Sequence, residues 1–129
     1  MSTFAIERIE LVDGPIKFYK LWIDDYCQFN EFLSELENGG SLSQIEGLFR
    51  RITEVGQMRR LPQNKFKEIT PEGQLVKEYE IKCGVFRVYL IKHEGHIVII
   101  GGKKNRQEKD IRQFRSIKKR YLESLKHIT

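Results

Sequence analysis

Charged and polar side chains alternate with apolar ones along the segment that begins near Val76, and a cluster of bases follows it. The alternating set comprises Glu78, Glu80, Lys82, Arg87 and Tyr89. The later cluster comprises Lys103, Lys104 and Arg106. Cationic groups at this density are typical of a surface that binds a polyanion, and nucleic acid fits the pattern better than a membrane. The polar set is therefore the candidate working surface.

The charge of the chain is divided unevenly along its length. Residues 76–129 carry 14 Lys and Arg against 6 Asp and Glu, a net charge of +8. Residues 1–75 carry 9 against 12, a net charge of −3. The second part of the chain is therefore expected to contain the polyanion-binding surface.

Composition limits the class of protein. The 129 residues are 40% hydrophobic and 32% charged, which predicts one compact domain over residues 1–129. An apolar run long enough to cross a bilayer is missing from the sequence, and charges interrupt the first residues, so we expect a cytoplasmic protein with no membrane partner. Cys27 and Cys83 are expected to be reduced thiols. The sequence carries no metal-binding motif, and neither a metal nor a cofactor is expected.

Turn and periodicity signals predict an α+β fold. Alternating residues around Asp13-Gly14-Pro15 predict an N-terminal hairpin over 4–23 that extends the main sheet. Helical spacing predicts a helical hairpin over 24–56, with Asp24 and Ser41 as N-terminal caps and Tyr26 on the apolar side of the first helix. A twisted, mainly antiparallel sheet is expected over 65–102, with the two helices on its apolar face. A C-terminal helix over 107–126 is expected beside it, showing Lys109, Arg112, Arg115 and Lys119 to solvent.

Turn positions also predict a strand register. A two-residue turn at Cys83-Gly84 would pair Lys82 with Val85, Glu80 with Arg87, and Glu78 with Tyr89. A turn at His93-Glu94-Gly95 would bring Lys92 to His96 and Arg87 to Gly101. Because Gly101 has no side chain, a substrate backbone could then approach closely.

The order of these motifs resembles the RelE/ParE toxin superfamily of bacterial toxin–antitoxin modules. The pattern runs from Tyr79-Glu-Ile-Lys82 through Phe86-Arg87-Val-Tyr89 and a hydrophobic strand to Gly102-Lys103-Lys104 and a basic helix. Two lysines directly after the last strand are most similar to the HigB-like, phage-associated branch. The resemblance extends from Leu61-Pro62 to Leu122, and two helices precede the main sheet in both.

The resemblance implies a metal-independent mRNA endoribonuclease, either ribosome-dependent or acting on free mRNA, that a cognate antitoxin neutralises. A ribose 2′-hydroxyl would attack its own 3′-phosphate and leave a cyclic phosphate and a free 5′-hydroxyl. The implied catalytic residues are Arg87, Lys82 and Lys104, and the implied RNA-binding residues are Lys103, Arg106, Lys109 and Arg112. The guanidinium fork of Arg87 could hold two non-bridging phosphate oxygens at once. Acidic or extended antitoxin residues are expected to approach Arg87 and Lys103-Lys104.

The general base of this chemistry is left open by two departures from the family's pattern. Glu80 stands where the basic strand of the family has its first lysine. Lys109 and Asp110 stand where some members place a tyrosine early in the last helix. Glu80, Tyr89 and a lysine of depressed pKa at position 82 are the candidates.

Plainer interpretations and other functions also fit the sequence. Glu80 opposite Arg87 would suit a cross-strand ion pair, and the basic cluster would suit a solvated loop. His93 and His96 would suit a turn. One alternative function is a ParE-like toxin that inhibits DNA gyrase without cutting RNA. Another is a basic nucleic-acid-binding or phage accessory protein without enzymatic activity.

Overall fold

The computed structural model describes residues 2–105 and 108–126 of the chain. Within these residues the fold is α+β, as predicted. The strands are β1 (Phe4–Arg8), β2 (Phe18–Ile23), β3 (Phe66–Glu68), β4 (Lys77–Cys83), β5 (Phe86–His93) and β6 (His96–Lys104). The helices are α1 (Gln28–Asn38), α2 (Leu42–Gly56) and α3 (Glu108–Leu125).

The six strands of the described residues form one sheet in the order β1-β2-β6-β5-β4-β3. Strands β1 and β2 pair antiparallel, from Phe4 opposite Ile23 to Arg8 opposite Tyr19. Strand β2 then pairs with β6 in parallel, with Phe18 opposite Ile97. This parallel pair joins the N-terminal hairpin to the antiparallel strands β6, β5, β4 and β3.

Asp24 does not cap the first helix, so that prediction is wrong. Cys27 occupies the N-cap position of α1, and Asp24 has a left-handed φ of +54°. The Asp24 backbone N–H donates to the carbonyl of Thr3 at 2.7 Å, and its carboxylate accepts the Thr3 N–H at 2.8 Å. Asp24 therefore fastens the start of the chain to the turn after β2. Ser41 does occupy the N-cap position of α2.

Helices α1 and α2 cover the face of the sheet that was predicted to be apolar. Buried sheet residues Ile81, Val88 and Leu90 belong to the same core cluster as Phe29 of α1 and Ile52 of α2. The stretch of alternating residues predicted this face correctly because alternate strand residues share a side whatever the register.

Helix α3 packs over the opposite face instead of lying beside the sheet. Its apolar residues Ile111, Phe114, Ile117 and Tyr121 form a second core cluster with sheet residues. Consequently Glu78, Glu80 and Tyr89 are buried, and most of the expected working surface is covered. Arg115 is also half-buried, contrary to the solvent exposure predicted for it. Among the described residues, none of the helices is apolar and long enough to cross a membrane.

The predicted register of β4 and β5 is wrong, because the turn begins one residue later than predicted. Gly84 and Val85 form the turn, so Lys82 pairs with Arg87, Glu80 with Tyr89, and Glu78 with Ile91. Gly84 has a φ of +60°, which suits the first central position of a type II′ hairpin turn. The predicted Glu80–Arg87 cross-strand pair is thereby excluded.

The second hairpin also differs from prediction. Glu94 and Gly95 form a two-residue turn with positive φ at both positions, 51° and 82°, as in a type I′ turn. Lys92 therefore pairs with Ile97 rather than His96. A bulge beside Tyr89 and Leu90 shifts the register again, which places Arg87 opposite Lys103 and Tyr89 opposite Gly101.

Candidate nucleic-acid interface

Three cationic residues lie opposite one another across three neighbouring strands. Lys82 of β4 pairs with Arg87 of β5, and Arg87 pairs with Lys103 of β6. We call these three residues the cationic row. Like charges directly opposite one another in a sheet are destabilising, so the row is better suited to a state in which an anion lies across it. Lys104, the next residue of β6, is exposed and lies opposite Phe86, so its side chain is on the other face of the sheet from the row.

Arg87, at the centre of the row, points part of its guanidinium group toward the hairpin turn. Its Nη1 atom donates to the carbonyls of Gly84 at 2.7 Å and Phe86 at 2.9 Å. These bonds orient the guanidinium at the end of the sheet. They also mean that a phosphate would have to use its remaining N–H groups or displace the turn carbonyls.

Helix α2 and the segment before β3 hold the main chain of Lys82. The guanidinium of Arg51 donates to the Lys82 carbonyl. The Lys82 N–H donates to the carbonyl of Lys65 at 2.8 Å. Arg51 is thus a positioning residue for the row that sequence reasoning missed. Its helical position carried no signal, because the contact joins residues far apart in the chain.

The two candidate bases lie one step along the same face from the row. Glu80 and Tyr89 pair across β4 and β5, and they are only 1% and 2% exposed. The Tyr89 ring stacks on Phe114 of α3, with centroids 5.4 Å apart and planes inclined by 23°. Both groups are therefore next to the row but covered by the protein itself, and a substrate hydroxyl could reach them only after a local movement.

The remaining predicted RNA-binding residues are spread along the approach to α3. Lys103 is half-buried, whereas Lys109 and Arg112 are exposed. Arg112 also lies 3.6 Å from the carboxylate of Glu108, one helical turn away. Arg106 lies outside the described residues. Among the three of these residues that the structure describes, Lys103 is the one that it brings into the row.

Glu78 has a structural environment that sequence reasoning did not anticipate. Its carboxylate accepts from Arg115 Nε at 3.0 Å and from Lys118 Nζ at 2.8 Å. Lys118 also donates to the carbonyl of Val76, and Arg115 to that of Ile69. These contacts fasten α3 to β4 and to the segment before it, so two cations of the basic helix serve the fold.

His93 ends β5 and His96 begins β6, so the two histidines flank the hairpin turn at the end of the sheet that is farthest from Arg87. The rings of His93 and His96 contact each other with centroids 6.3 Å apart, and Tyr19 meets His96 edge-on at 5.0 Å. Burial lowers the pKa of His96, and the nearby His93 lowers it further. The pair is therefore separated from the cationic row by the length of the strand.

Metal-binding clusters among the described residues and matches to known proteins would both bear on the chemistry of this interface. Within residues 2–105 and 108–126, no group of three or more His, Cys, Asp or Glu side chains is arranged to hold a metal ion. Comparisons with family models, with curated protein sequences and with solved structures gave no significant match.

Proposed function

We propose that this protein is an RNA-cleaving toxin with a RelE-like fold, which acts on mRNA and is held inactive by a cognate antitoxin. The observation that carries the proposal is the cationic row, in which Lys82, Arg87 and Lys103 lie opposite one another. A row of like charges across a sheet is suited to a phosphate backbone crossing it. The helical hairpin α1–α2 precedes strands β3 to β6, in agreement with the resemblance that the sequence motifs carry.

The proposed reaction is transesterification within the RNA. The 2′-oxygen attacks the adjacent phosphorus, the bond to the 5′-oxygen of the next nucleotide breaks, and that oxygen takes a proton from water. A cyclic phosphate and a free 5′-hydroxyl result. Arg87 and Lys82 would neutralise charge on the phosphorane. Lys104, at the exposed end of β6 and opposite Phe86, lies on the other face of the sheet and would contact a neighbouring phosphate. Glu80 or Tyr89 would take the 2′-hydroxyl proton, after a movement of the chain that now covers them.

The second candidate function is nucleic-acid binding without cleavage. Burial of Glu80 and Tyr89 favours it, as do the bonds from Arg87 to two turn carbonyls. Such a protein needs only the exposed and half-exposed cations, and its affinity would fall steeply with salt.

Regulated expression in a bacterial host tests the proposal. Wild type is compared with Arg87→Ala and with Lys92→Ala, a matched loss of one cation at the opposite end of β5. Growth, the 5′ ends of cellular transcripts and a DNA-damage reporter are followed together, and the fold of each purified protein is checked by circular dichroism. Growth arrest with new transcript ends is expected for wild type and Lys92→Ala, but not for Arg87→Ala.

Other results would select the alternatives. Arrest with intact transcripts and a DNA-damage response would support gyrase inhibition. Absence of arrest by a folded wild-type protein would leave binding alone. An antitoxin would be supported by co-purification with a protein encoded by a neighbouring gene, if that co-purification is lost when Arg87 and Lys103-Lys104 are neutralised. Cleavage only in the presence of ribosomes would show ribosome dependence.

A further inference from the structure

A cavity of about 420 Å³ opens directly beside the cationic row. It lies between the end of β2 with the segment that joins β2 to α1, the end of β6, and the middle of α3. Lys103 belongs both to the row and to the wall of this cavity. A polymer whose phosphates followed the row would therefore have its next chemical group at the mouth of the cavity.

The floor of the cavity is apolar and its walls are polar. Leu21, Ile100 and Ile117 line it and are buried in the second core cluster. Gln28, Gln113 and Ser116 supply amides and a hydroxyl. Each amide offers both a donor and an acceptor, which is what the edge of a nucleobase requires.

Gly101 shapes the floor beside Lys103. A Cβ atom at position 101 would lie 2.5 Å from Cδ and Oε1 of Gln28, so the missing side chain lets the Gln28 amide lie across β6. The predicted close approach at Gly101 is therefore made by the protein's own glutamine, not by a substrate backbone. The Gln28 amide is therefore held against Gly101, which is two residues from Lys103 on β6.

Tyr26 supplies the aromatic surface. It lines the cavity, and 54% of it remains exposed, so the ring is accessible from solvent. Its main chain is fixed without help from the ring, because Ile23 N–H donates to the Tyr26 carbonyl at 2.8 Å and Tyr26 N–H donates to the Ile23 carbonyl at 3.0 Å. The backbone of Tyr26 is thus fixed at the cavity, and its ring remains accessible for stacking.

We infer that this cavity binds one base of a single-stranded RNA whose phosphates lie along the cationic row, with Tyr26 stacking on the base and Gln28 and Gln113 contacting its edge. The inference rests on the proposed function for its substrate class, because the row must hold RNA phosphates. It adds that part of the affinity depends on the base rather than on charge. Unpaired bases of single-stranded RNA are accessible to such contacts.

The experiment uses short 2′-O-methyl oligonucleotides, which cannot undergo the transesterification. Fluorescence anisotropy compares oligoadenylate, oligouridylate, oligocytidylate and oligoguanylate with an abasic oligomer of the same length. Wild type is expected to bind the best of the four about 10-fold more tightly than the abasic oligomer. Tyr26→Ala and Gln113→Ala should each remove most of this ratio while leaving abasic binding and its salt dependence unchanged.

Arg112→Ala is the matched control, since Arg112 is an exposed neighbour of Gln113 that does not line the cavity. It should weaken all oligomers by a similar factor. Equal affinity of wild type for base-bearing and abasic oligomers overturns the inference, as does equal weakening of both by Tyr26→Ala. Cleavage of unmodified RNA, measured in parallel, decides the proposed function separately: base-dependent binding without cleavage would remove only the nuclease, and cleavage with base-independent binding would remove only the base pocket.

Discussion

Lys118 Nζ lies 2.8 Å from Oε2 of Glu78, and the side chains are only 3% and 1% exposed. A buried ion pair therefore joins strand β4 to helix α3, which covers it. Arg115, 3.0 Å from the other carboxylate oxygen, is the half-exposed third member of this group. The two cations that satisfy Glu78 are thus withdrawn from any RNA-binding role.

Replacing Lys118 by Met should lower the free energy of unfolding by about 3 kcal/mol, because a buried carboxylate loses its buried partner. Urea unfolding followed by circular dichroism measures the change. The control is Lys119→Met, which alters an exposed neighbour and should change stability by less than about 0.5 kcal/mol. Equal effects of the two variants would contradict the structural role assigned to Lys118.

Neutralising the cationic row should act in opposite directions on stability and on binding. Lys103→Gln relieves a like-charge contact with Arg87, so the free energy of unfolding should rise by about 0.5 kcal/mol. RNA affinity should fall, and the slope of log affinity against log salt should decrease by about 1. Lys92→Gln removes a cation from the other end of β5, and an equal loss of salt slope there would argue against a localised phosphate contact.

Two neighbouring glycines should respond differently to alanine. A Cβ at position 102 would lie 2.5 Å from the ring of Phe32, a core side chain only 4% exposed, so Gly102→Ala should destabilise the protein by about 1–3 kcal/mol. Gly101→Ala meets only the far end of Gln28, which can swing away, and should cost less. Thermal and urea unfolding of both variants test the order, and Gly101→Ala should still weaken base-dependent RNA binding because Gln28 moves.

His96 should make stability depend on pH. Its pKa is lowered in the folded protein, mainly by burial and further by His93, while Glu94 acts in the opposite direction. As the pH falls through the ordinary histidine value of 6.5, the unfolded chain takes up a proton before the folded one, so stability is full above that value and is lost below it. The slope of melting temperature between about pH 8 and about pH 5 should be smaller for His96→Gln than for wild type. An unchanged slope would exclude His96 as its source.

The sequence predicts which strand residues share a face, because apolar and polar residues alternate along each strand. Tyr79, Ile81, Val88 and Leu90 were placed together correctly because the alternation does not depend on which residues form the turn. The pairing did depend on the turn, and Gly84 took its first central position instead of its second. A bulge beside Tyr89 added a further shift that has no local sequence signature.

The sequence predicted which residues share a face at the candidate site, but it did not predict which of them are buried. Lys82 and Arg87 were expected on one face and lie directly opposite each other. Burial of Glu80 follows from α3 crossing that face, which is a tertiary contact that periodicity cannot report. Tyr26 was assigned to the helix because its spacing suited one, whereas the bonds it shares with Ile23 keep it in the segment before α1.

The position of β6 has a consequence for the order in which the protein can form. This strand lies between β2 and β5, yet it is the last strand in the chain order among the described residues. During synthesis the N-terminal hairpin and helices α1 and α2 emerge before it. The pair β1-β2 and the strands β5-β4-β3 remain separate until β6 has been made. A nascent chain that stops earlier exposes the unpaired edges of β2 and β5, which makes it prone to aggregation and a substrate for chaperones.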